Sequence, residues 1–71
     1  MTRLKHQTEE VVDGVTVLIK CFETIEYDGK WYISDYEVWL GDELISESIY
    51  YPYPGTIKKI LDERAKVTKH N

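Results

Sequence analysis

VTVLIKCFETIEYDGKWYISDYEVWLGDELISESIYY, running from Val15 to Tyr51, decides the fold. It is dense in β-branched and aromatic residues and is cut twice by dipeptides that favour tight turns, Asp28-Gly29 and Gly41-Asp42. Three strands are therefore predicted: Val15 to Tyr27, Trp31 to Leu40 and Glu43 to Tyr51. A type I′ turn at Asp28-Gly29 fixes the first register. It sets Val17 against Leu40, Ile19 against Val38, Cys21 against Tyr36 and Ile25 against Tyr32 on one face. On the other face it sets Leu18 against Trp39, Lys20 against Glu37, Phe22 against Asp35 and Thr24 against Ile33. A slip of one residue would mix the faces and lose the Lys20–Glu37 charge pair. The second turn adds Ile45 opposite Val38 and Tyr51 opposite Tyr32 to the first face, and Leu44 opposite Trp39 and Tyr50 opposite Ile33 to the second.

Outward from this meander the signals weaken. Tyr51-Pro52-Tyr53-Pro54-Gly55 cannot continue a ladder, because proline has no N–H and restricts the residue before it. Thr56 is the expected N-cap of a helix whose stripe is Ile57, Ile60, Leu61 and then Ala65 or Thr68, ending near Lys66. On the N-terminal side, Asp13-Gly14 is a turn signal, so Glu9 to Val12 reads as a short additional strand. Residues 1–10 show no period and are expected to be a flexible segment, as are residues 69–71. The expected fold class is α+β: a three-stranded antiparallel meander, β-β-β-α, with the C-terminal helix packed on one sheet face. Residues 11–68 form its single small domain.

Composition limits what such a domain does. At 71 residues it buries about 60% of its unfolded surface, enough for one core. The lone cysteine, Cys21, excludes an intramolecular disulfide and favours an intracellular, cytoplasmic setting. Met1 to Glu10 is polar and shows no signal peptide. The apolar run Val15 to Phe22 is broken by Lys20 and is too short for a membrane span. Charge is unevenly placed: residues 11–55 hold nine acidic side chains against two lysines, a balance of −7. Residues 56–71 hold five basic against two acidic, a balance of +3.

The face with Val17, Ile19, Cys21, Tyr36, Val38 and Ile45 is the more continuous apolar surface, and the helix stripe is expected to pack there. A helix of a few turns cannot also cover the opposite face. That second face displays Phe22, Trp31, Ile33, Trp39, Leu44 and Tyr50, interleaved with Asp35 and Glu37. These eight residues are the candidate partner-binding set, with the aromatic anchors supplying contact area and the carboxylates charge complementarity. The competing reading is that the N-terminal segment folds over this face.

Catalytic constellations are absent from the pattern. His6 and His70 sit at opposite ends, no Gly-rich phosphate loop or zinc-like Cys/His spacing occurs, and Cys21 points into the expected core. Asp35 and Glu37 are better explained by Lys20 opposite than as an acid–base pair. The chain is therefore read as non-enzymatic, with no cofactor and no metal. It is read as a protein-binding accessory or regulatory factor, a small acidic inhibitor or adaptor whose protein partner has a basic surface, with a homodimer as a further expectation. Nucleic acid is disfavoured on the sheet, since an acidic surface repels phosphate. The alternative class is nucleic-acid binding through Lys58, Lys59, Arg64, Lys66 and Lys69 on the helix. The order β-β-β-α resembles in outline the integrase arm-binding domains and the partial RNase-H-like fold of HicB-type antitoxins. The antitoxin likeness loosely covers residues 15–68 and implies an antitoxin-type module as a further alternative. It is one of topology and transfers no residue role.

Overall fold

A computed structural model describes residues 1–69, with side chains to residue 66; His70 and Asn71, and with them most of the expected C-terminal tail, lie outside the described residues. The elements are β1 (Thr2–Val12), β2 (Val15–Ile25), β3 (Trp31–Leu40), β4 (Glu43–Ser48) and α1 (Pro54–Lys69). The fold is α+β, an antiparallel sheet followed by one C-terminal helix, but the sheet has four strands rather than three, in the order β1-β2-β3-β4. The fourth strand, β1, takes in the short strand expected at Glu9 to Val12 and reaches back through the stretch expected to be a flexible segment, pairing with β2 from Thr2↔Thr24 to Val12↔Val15. Asp13 and Gly14, at φ 52° and 77°, make the turn that joins them. Both positions need a left-handed backbone, which explains the Asp-Gly there.

The β2–β3 connection differs from the expected two-residue turn. Only Gly29 has a positive φ, 77°, while the Gly29 amide donates to Glu26 (2.9 Å) and the Glu26 amide to Lys30 (3.0 Å). The loop thus holds three residues, Tyr27 to Gly29, the next commonest hairpin form. Pairing near it runs Ile25↔Trp31, Thr24↔Tyr32 and Glu23↔Ile33, and a bulge then leaves Ser34 unpaired before Phe22↔Asp35. The Thr24–Ile33 and Ile25–Tyr32 pairs are corrected accordingly. Beyond the bulge the expected partners Cys21↔Tyr36, Lys20↔Glu37, Ile19↔Val38 and Leu18↔Trp39 are present, and the pairing ends there, short of the expected Val17–Leu40 pair. One residue gained by the loop is offset by one residue bulged from β3.

A second bulge corrects the last strand. Trp39↔Leu44 is as expected, but Val38 opposes Ser46, so Ile45 is the extra residue. Ile45 nevertheless packs against the core. β4 ends at Ser48, which places Tyr50 and Tyr51 outside the ladder.

Val12, Val17, Ile19, Val38 and Ile57 form the core, with Leu61, Leu40 and Tyr36 packed against it. Ile57 is fully buried, a burial worth about 2–3 kcal/mol. The helix starts at Pro54 rather than after Thr56: proline suits the first helical position, and the Tyr53 carbonyl accepts the Ile57 amide at 3.0 Å. Two ion pairs fasten α1 to the sheet, Lys58 to Asp13 in the β1–β2 turn (3.3 Å) and Arg64 to Glu43 at the start of β4 (2.7 Å).

Candidate functional site

Residues opposed across an antiparallel ladder share a face, so the register sorts every side chain. Along β2, Val17, Ile19, Cys21 and Glu23 are buried on the helix side, while Leu18, Lys20, Phe22 and Thr24 are half-buried on the other. The open face then consists of cross-strand rows. Glu9, Leu18, Trp39 and Leu44 form one; Gln7, Lys20, Glu37 and Glu47 form the next; Leu4, Phe22 and Asp35 form a third. β1 does not fold over this face. It lies beside β2 and extends the face by a strand.

Of the eight residues expected there, five are brought together: Phe22, Asp35, Glu37, Trp39 and Leu44. The Ser34 bulge turns Trp31 and Ile33 to the opposite side, since Ile33 opposes Glu23 and Trp31 opposes Ile25. Trp31 there stacks under Arg3, whose guanidinium carbon lies 3.6 Å from the ring centroid and whose Nε donates to Glu23 at 2.7 Å. Glu23 is 7% exposed, and the arginine–tryptophan lid is what makes a buried carboxylate tenable. Tyr50 lies in the β4–α1 connection, exposed, its amide donating to Ser48 Oγ at 3.1 Å. Leu4, Leu18 and Glu9 on the open face had no counterpart in the candidate set. Leu18 was legible from its pairing with Trp39; Leu4 and Glu9 depend on β1.

Trp39 is fixed within this face by its neighbours. Its Nε1 donates to Glu37 Oε1 at 2.8 Å, and Lys20 Nζ sits 4.9 Å from its ring centroid. A shallow hollow beside it is lined by Glu9, Thr16, Val17, Leu18, Trp39 and Gly41. Asp35, Glu37 and Glu47 bring one oxygen each to within 4.8 Å of the others, and Ser34 Oγ donates to Asp35 at 2.8 Å. Three carboxylates this close repel one another, and a cationic group placed among them relieves that repulsion. Hard cations take oxygen ligands of this kind, as does a partner's guanidinium or ammonium group.

Elsewhere the titratable groups serve local structure. Tyr32 Oη donates to Asp28 at 2.6 Å; this bond, helped by the Lys30 amide, holds the Asp28 carboxyl below its ordinary range and pushes the Tyr32 phenol up. Burial, then contact with Cys21, raises the Tyr36 phenol, which packs edge-on to Tyr51 at 5.4 Å. No described helix is long and apolar enough to cross a membrane. Comparison with family models, with curated proteins and with solved structures finds no match for this chain.

Proposed function

We propose that the protein works by binding rather than by chemistry, as a small acidic inhibitor or adaptor that offers its open sheet face to a protein with a basic surface. One observation carries this reading: Leu18, Phe22, Trp39 and Leu44 adjoin the carboxylates of Asp35, Glu37 and Glu47 on a face over which no described element packs. Aromatic and aliphatic anchors supply contact energy, and the carboxylates favour partners rich in Lys and Arg. Trp31, Ile33 and Tyr50 fall outside this surface. The rival reading, nucleic-acid binding through the helix, draws less support, because Lys58 is engaged by Asp13 and Asp62 and Arg64 by Glu43.

The test is capture from lysate with three baits: wild type, Trp39→Ala and the double variant Asp35→Lys/Glu37→Lys. The reading expects a basic protein held by wild type and lost by both variants, each variant keeping a cooperative melting transition. Equal capture by all three baits overturns it. Oligonucleotide binding that steepens as salt falls and vanishes in Lys59→Glu/Lys66→Glu would put the helix in its place.

A further inference from the structure

β1 and β4 are the sheet's two edges, and they are unlike. β4 has six residues, whereas β1 has 11, of which Thr2 to Glu9 are all exposed. An edge of that length presents a row of backbone donors and acceptors ready to receive another strand. From this edge we propose that the protein pairs with a second copy of itself. Two β1 strands would run antiparallel about a two-fold axis at Gln7, joining two four-stranded sheets into one continuous sheet.

The charge order of β1 specifies this occupant. Arg3 and Lys5 lie in its first half and Glu9 and Glu10 in its second, so antiparallel self-pairing brings each basic end to the acidic end of its mate. The register follows from the faces. Opposite β2, Arg3, His6, Thr8 and Glu10 take the helix side, while Leu4, Gln7, Glu9 and Val11 take the open side, with Lys5 unpaired in a bulge between Leu4 and His6. With Gln7 against its symmetry mate, His6 opposes Thr8, Leu4 and bulged Lys5 together oppose Glu9, and Arg3 opposes Glu10. Every opposed ladder pair shares a face. A slip of one residue breaks that match, and a slip of two removes both charge pairings. Lysines and bulges usually keep edges from pairing. Here the glutamate that neutralises Lys5 comes from the same segment of the second copy. The inference does not depend on what the open face binds.

Sedimentation velocity over a wide concentration range tests it, using wild type, Lys5→Glu, Glu9→Lys and Lys5→Glu/Glu9→Lys, all changes at exposed positions. Wild type should form a dimer that weakens with salt. Each single variant sets like charges opposite each other twice and should associate about tenfold or more weakly. The two single variants mixed in equal amounts should dimerise with each other, and the double variant should regain the dimer. A wild type that stays monomeric at every concentration overturns the proposal. So does a dimer indifferent to both single changes, which would assign association to another surface.

Discussion

The two sides of this sheet are built from the same strands, by residues one position apart, and they have opposite fates. Val17, Ile19, Cys21 and Val38 are closed off from solvent, whereas Leu18, Lys20, Phe22 and Trp39 remain half-exposed. The strands' own hydrophobicity does not account for the contrast, since leucine, phenylalanine and tryptophan stand on the open side. What differs is the cover: α1 has one apolar stripe, Ile57 and Leu61, and spends it on one face. Alternation along a strand creates two candidate cores, and the remaining chain chooses between them.

The largest effect expected from this asymmetry is at the helix contact. Ile57→Ala should cost about 2–5 kcal/mol in urea unfolding, a large part of the stability of so small a domain. Next comes the buried carboxylate: Arg3→Ala leaves Glu23 without its cation and removes the Trp31 stack, a loss of about 2 kcal/mol. Adding Glu23→Gln to that variant should restore part of the loss, because a neutral amide is cheaper to bury than an unpaired charge. Trp39→Ala, by contrast, should cost only about 1 kcal/mol, as a half-exposed side chain does. If it matched Ile57→Ala, the open face would be a second core and the contrast between the sides would collapse.

The smallest effects are electrostatic and local. Hydrogen bonds first to Asp62 and then to Asp13 raise the Lys58 ammonium above its ordinary 10.5. Its stabilising share is therefore complete below pH 10.5 and lost as pH climbs through the raised folded value. Wild type should show a slight extra fall in melting temperature there that Lys58→Met lacks. Asp28 behaves oppositely: its lowered carboxyl stabilises above its ordinary 3.8 and loses that share as pH falls below it. Tyr32→Phe should abolish most of this acid-side sensitivity.

How legible these features were depended on whether side chains or backbone encoded them. The core pairs Ile19–Val38 and Cys21–Tyr36 were readable, because one-face burial imposes a period of two. The Ser34 and Ile45 bulges were not, since an extra residue changes the pairing without altering the local composition. The misread turn at Tyr27 to Gly29 did no damage beyond the bulge, as the two one-residue errors cancelled. They did reassign Trp31 and Ile33, and with them part of the candidate site. β1 was mostly hidden because only Val12 in it is buried. Its main-chain pairing leaves almost no trace in residue type, save the Asp13-Gly14 turn at its end.

Cys21 turns the closed side into a clock. It is the sole thiol of the chain, and no part of it reaches solvent. A thiol reagent can modify it only when β2 and its cover part, so the rate of labelling counts openings of the sheet. Varying the reagent concentration separates how often the sheet opens from how long it stays open. The protein therefore carries its own probe of breathing motion, with no foreign group introduced.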